Sequence, residues 1–168
     1  MGLAVRALEH VWEALRAAHA AQYTHGDVRP SNVIETVPGG GALFLIDWGH
    51  AQRLGQRYDK RDMHGVPAFM SARRLKLLLS DAKGKWEPEA EDDREAAVLT
   101  FLALVSTDDG HAPWTDWTFP ATSLVRERAD WIAQHDSMLR AAAECIILPA
   151  ARSAVIAAIE SATREAAA

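Results

Sequence analysis

The sequence predicts one mainly helical domain of α+β class that carries a small β-hairpin. Three observations predict it. Residues 3–21 place Leu8, Val11, Trp12, Leu15 and His19 at helical spacing, the pattern of an amphipathic helix. The runs "VIETV" (33–37) and "ALFLID" (42–47) flank "PGGG", two short strands around a Gly-rich turn. Residues 91–106, "EDDREAAVLTFLALVS", become apolar on nearly every face, as a helix buried on all sides must be. With 168 residues the chain is long enough for one real core and too short for two of ordinary size, so 1–168 is taken as a single unit.

The elements follow in order. A helix over 1–21 runs into a loop, 22–32, that contains "YTHGDVRPSN". The hairpin spans 33–47. Residues 48–70 show no sustained period and hold Gly49, Gly55, Gly65 and Pro67, which predicts a long ordered loop of the kind that serves function. "SARRLKLLL" (71–79) is a short helix with Ser71 as its cap. Residues 80–93 are polar and predict an exposed connection, with "EPEAEDDRE" (87–95) a solvated face apart from Asp93. The stretch 120–168 reads as three helices, at about 121–134, about 137–147 and beyond Pro149, with a fraying Ala-rich end.

Composition excludes several classes. Net charge is −5 and the basic residues are scattered, which argues against a nucleic-acid partner, since that would need a concentrated Lys/Arg face. No apolar run approaches the length of a membrane span. One cysteine, Cys145, makes no internal disulfide; it is expected as buried packing in a reducing, cytoplasmic or nuclear compartment. The seven His show no metal-ligand spacing, so zinc is not expected. The six Trp are expected in core or groove packing.

The chemistry lies at the ends of the hairpin. Asp27 precedes it, Asp47 closes it, and a hairpin returns the chain to where it began, so both carboxylates should meet at one edge with Asn32 between them. Two carboxylates and an amide oxygen suit Mg²⁺, a hard cation that takes oxygen ligands and keeps waters and substrate phosphates. The plainer alternative is Asx residues placed for local turn hydrogen bonds.

"HGDVRPSN" (25–32) resembles the catalytic loop of protein kinases, H-R-D-x-x-x-x-N, and "DWG" (47–49) resembles their D-F-G. "GVPAFMSARRL" (65–75) is similar to the G-T-P-x-(Y/F)-M-A-P-E-x-L block of the activation segment, here 47–75. "EDDREAAVLTFLAL" followed by "APW" (112–114) resembles the D-D-L-E-S…L-P-W passage of the casein kinase 1 group and the fungal-type protein kinases. These blocks cover residues 5–115 in register.

The resemblance implies the larger, C-terminal kinase lobe, with the N-terminal sheet lobe absent: "PGGG" is a hairpin turn, and no Gly-rich loop or strand Lys accompanies it. It implies that Asp27 accepts the proton of the attacking hydroxyl. Arg29 offsets charge on the phosphoryl group, Asn32 and Asp47 hold Mg²⁺, His25 and Trp48 pack in the internal spine, and Asp93 ties down the catalytic-loop backbone. The cofactors implied are ATP and Mg²⁺, and the reaction is transfer of the γ-phosphate to a protein Ser/Thr hydroxyl. That activity is expected once a sheet lobe completes the site and is expected to be weak or absent alone. The partners implied are a protein substrate or a protein covering the face of the missing lobe. Alternatives are a non-catalytic pseudokinase acting as an interaction module, a fragment of a longer kinase and, ranked lower, a small-molecule kinase of the aminoglycoside or choline type. Two departures stand out: Gly26 replaces the Arg of H-R-D, and Arg73 stands where A-P-E has Glu. The second implies either an inverted ion pair or a lost contact.

Overall fold

Helix α3 (Ala90–Ser106) is the axis of the structure, with Phe101 and Leu102 wholly inaccessible and most of its later residues buried on every side. The computed structural model describes residues 2–38, 40–80, 84–106 and 122–167. Helix α1 (Gly2–Ala20) lies along α3 and buries Leu8, Val11, Leu15 and His19, the face expected from their spacing. On the other side α4 (Leu124–Gln134), α5 (Asp136–Glu144) and α6 (Pro149–Ala166) close the core through Leu139, Ile146, Val155 and Ile159. Pro149 sits in the first turn of α6, where its missing N–H costs nothing. The Ala-rich end stays helical to Ala166. No helix among the described residues is long and apolar enough to cross a membrane.

The architecture is mainly helical with small antiparallel sheets. The hairpin pairs β2 (Val33–Glu35) with β3 (Leu43–Leu45). Its alternation turns Leu43 and Leu45 into the core and leaves Phe44, with its cross-strand partner Ile34, exposed. Two further ladders were not expected. β1 (Tyr23–Thr24) pairs with β4 (Gln52–Arg53), and β5 (Tyr58–Asp59) with β6 (Lys85–Trp86). The segment 48–70 is therefore an ordered excursion pinned at both ends, with 3-10 turns at Trp48–His50, Lys60–Asp62 and Pro67–Phe69. It leads into α2 (Ala72–Leu79), where Ser71 Oγ accepts the Arg74 N–H at 3.1 Å as the N-cap.

Four expectations need correction. The stretch 80–93 is not simply an exposed connection, because β6 buries Trp86 and α3 already begins at Ala90. Asp92 is as buried as its neighbour, at 4% exposure, since it accepts from Ser71 Oγ at 2.5 Å, from Arg73 Nε at 3.1 Å and from the Glu89 N–H at 3.1 Å. Cys145 caps the end of α5 and its free thiol is exposed. Trp48 is 39% exposed and leans on the site from outside, whereas Trp86 and Trp131 are buried. Trp114, Trp117 and the "APW" block at 112–114 lie outside the described residues.

Candidate functional site

The loop after β1 is fixed from below by one carboxylate. Asp93, on the first turns of α3 and 1% exposed, accepts the His25 N–H at 2.7 Å through Oδ2 and the Gly26 N–H at 3.0 Å through Oδ1. Its Oδ2 also bonds His19 Nε2 of α1 at 3.0 Å. A carboxylate removed from water needs such donors to be tolerable. Its position near the N-terminus of α3 adds the favourable end of the helix dipole.

His25, fully buried, links that loop to the hairpin. Its Nε2–H donates to Ile46 O at 2.9 Å, so its Nδ1 is the acceptor for the Asp27 N–H at 3.2 Å. Both bonds require the neutral ring, and burial holds its pKa below the ordinary imidazole value despite the carboxylates of Asp93, Asp27 and Asp47 nearby. Trp48 meets this ring edge-on at 4.6 Å and donates Nε1–H to Leu45 O at 3.0 Å.

Gly26 has a steric reason to be glycine. Its φ is +83°, and an added Cβ would stand 2.7 Å from His50 O. No arginine fits at that position without moving the His50 backbone.

Above this base, Asn32 Nδ2 donates to Asp27 O at 2.8 Å and to Asp27 Oδ2 at 3.1 Å. Arg29 Nε bonds the same Oδ2 at 3.0 Å, and the Val66 N–H reaches Asp27 Oδ1 at 3.2 Å. The Asp27 carboxylate is thus oriented from three sides while Oδ1 keeps a lone pair. The hairpin register brings in the second carboxylate: Ile46 N–H donates to Asn32 O at 2.8 Å, so Asp47 follows directly after the residue paired with Asn32. Asp47 adopts a left-handed backbone (φ 64°, ψ 62°), which Asp tolerates better than most residues. It is exposed, and among the described residues it forms no hydrogen bond or ion pair.

Asp27 and Asn32 are therefore in direct contact, and Asp47 adjoins them through the ladder. With both Nδ2 bonds spent on Asp27, Asn32 keeps Oδ1 as a free acceptor, and Asp47 keeps its carboxylate. These are oxygen donors on adjoining strand ends, the donor type that a hard divalent cation takes. Among the described residues no group of three or more His, Cys, Asp or Glu is placed to hold a metal ion.

Arg73 is engaged in ion pairs of its own. Arg73 pairs with Asp92 and, at 2.8 Å, with Glu89, so the cation lies on α2 and the acids at and just before the start of α3. Arg128 of α4, buried, donates to Pro67 O at 2.5 Å and Met70 O at 2.8 Å; burial lowers its pKa to about 10. Glu95 lies close enough to oppose that shift and accepts the Ala72 N–H at 2.8 Å. Sequence reasoning missed Val66, Arg74, Asp92 and Arg128, as well as the exposed Ile34–Phe44 pair. The strand alternation in "VIE" and "LFL" was the one signal that could have found any of them. No protein-family model matches the chain.

Two outcomes follow. Asp93→Ala strips the acceptor from two buried N–H groups at about 1–3 kcal/mol each. Urea unfolding should show a loss of about 2 kcal/mol or more, and a smaller loss would contradict the role given to Asp93. For His25, the unfolded chain takes up a proton near 6.5 and the folded chain only at lower pH. Its contribution is complete above about pH 6.5 and is lost as pH falls towards the lower folded value. Stability measured from pH 7.5 to 5 should decline, and His25→Gln should flatten that slope. An unchanged slope in the variant would count against a neutral buried ring.

Proposed function

We propose that the chain is the large lobe of a protein-kinase-like phosphotransferase, fungal-type in its motifs, acting on ATP and a protein Ser/Thr hydroxyl. The observation that carries the reading is the Asn32–Asp27 contact, with Asp47 brought beside it by the β2–β3 register. In this reading the free lone pair on Asp27 Oδ1 receives the hydroxyl proton and aligns the oxygen for attack, while Asn32 and Val66 keep the carboxylate from rotating. Arg29 spends Nε on Asp27, and its outer nitrogens are left to offset phosphoryl charge. Asn32 Oδ1 and the Asp47 carboxylate would hold Mg²⁺, which when bound neutralises charge on the nucleotide phosphates. The chemistry asks the protein for positioning and charge, and a donor-locked carboxylate supplies the first.

A second reading is favoured by the outer face of the hairpin. Ile34 and Phe44, cross-strand partners, are 43% and 50% exposed, and Val37 is 60% exposed. Exposed apolar side chains on the outer side of this hairpin suit either the floor under a nucleotide ring or the contact face of a covering sheet lobe. If nucleotide binding fails, an interaction module remains, with that face as its surface.

Melting curves with millimolar ATP, with and without Mg²⁺, separate the two. The phosphotransfer reading expects a Mg²⁺-dependent upward shift in wild type, abolished in Asp47→Ala and retained in Asp130→Ala on the surface of α4. No shift in wild type sinks it for this chain.

A further inference from the structure

Arg74 has the most unusual position of any cation near the site. It lies on α2, is 3% exposed, and among the described residues it makes no ion pair. Burying a guanidinium in this way is costly, its Nε has no hydrogen-bond partner among the described residues, and burial lowers its pKa. What it binds is main chain. Nη1 donates to Gly26 O at 2.9 Å and Nη2 donates to His64 O. Its guanidinium carbon stands 5.4 Å from the centre of the Trp86 ring. One side chain thus joins the peptide just before Asp27 to the segment that crosses over it.

The crossing itself is built for contact. Gly65 has φ +111°, and a Cβ there would meet Gly26 O at 2.9 Å, with Arg74 Nη2 and Asp27 Oδ1 each at 3.5 Å. Directly after it, the Val66 N–H reaches Asp27 Oδ1. The orientation of Asp27 therefore depends in part on segment 64–66 staying down, and the side-chain bond holding it down next to Asp27 comes from Arg74. Lysine could not do the same, because a single ammonium lacks the planar fork that spans two carbonyls on different loops.

We propose that Arg74 is a positioning residue for this site, a permanent internal clamp that locks segment 64–66 onto the Asp27 loop. Both acceptors are backbone carbonyls, so the clamp needs no covalent modification to close, and the site is assembled constitutively. The catalytic meaning of Asp27 rests on the phosphotransfer reading; the clamp itself does not.

Amide hydrogen exchange by NMR on the nucleotide-free protein tests it, comparing Val66 with Phe101 in the middle of α3. Arg74→Met keeps the bulk and removes the donors; it should speed Val66 exchange about tenfold or more relative to Phe101, the scale of one or two lost hydrogen bonds. Arg74→Lys should give a smaller rise in the same ratio. Leu102→Ala, a core control, should speed both amides in proportion. A Val66-to-Phe101 ratio unchanged in both Arg74 variants, or moved no more than in the core control, overturns the clamp. Should the Met variant fail to fold, the Lys variant decides by the same ratio. No nucleotide enters the measurement, so a failed clamp leaves the Mg²⁺–ATP result standing, and a failed Mg²⁺–ATP result leaves the clamp standing.

Discussion

The Asp93 carboxylate is the constraint on which the rest of the site depends. It sits at the start of the most buried helix and accepts from the backbone of His25 and Gly26 and from the ring of His19. That single group ties α1, α3 and the loop into one rigid base. His25 then reaches across to Ile46, so the hairpin is held at a fixed height above the same base. The donors around Asp27 act on a loop already immobilised from beneath. Placing a carboxylate to within a fraction of an ångström is what positioning-dominated chemistry requires. A deep core beneath the loop is the simplest way to provide it.

A second tier of buried charge governs the segment that crosses the loop. Arg74 from α2 and Arg128 from α4 each spend their terminal nitrogens on carbonyls of residues 26 and 64–70, and among the described residues neither makes a direct ion pair. Arg73 faces the other way, into Asp92 and Glu89. Adjacent arginines on one short helix therefore serve different partners. Arg73 fastens α2 to the start of α3, and Arg74 fastens the loops to each other. Buried ionic groups of this kind give up desolvation energy in exchange for one defined arrangement. A segment held by cations on fixed helices has little freedom to swing.

Much of this was legible in the sequence where periodicity or motif spacing carried it. The amphipathic face of α1, the all-round apolar α3 and the Ser71 cap follow from local pattern, and α1 and α3 formed close to the expected bounds. The closeness of Asp27 and Asn32 follows from the loop, and that of Asp47 from hairpin closure, because both are short-range geometry. What was hidden is long-range. Nothing in "SARRL" distinguishes an arginine that turns inward from one that turns to the rim, and the partners of the inward one, the carbonyls of Gly26 and His64 and the ring of Trp86, are distant in sequence or on another loop. Asp92 looked like one more charge in a solvated run, and Ser71 and Arg73, some twenty positions earlier, help to make its burial tolerable. Cys145 looked like packing because its neighbours are apolar, but the helix ends there and leaves the thiol outside.

These tiers meet at the rim of the hairpin, where the locked carboxylate of Asp27, the free oxygen of Asn32 and the exposed Asp47 adjoin an apolar outer strand face. That Asn32 Oδ1 and the Asp47 carboxylate share one cation beside Asp27 is the central proposal, and Mn²⁺ as a paramagnetic stand-in for Mg²⁺ tests it directly. NMR line broadening during a Mn²⁺ titration should appear first at the Asn32 side-chain amide and the Asp47 and Trp48 backbone amides. Broadening that begins at the acidic run 87–92, or none near Asn32 and Asp47, would contradict it.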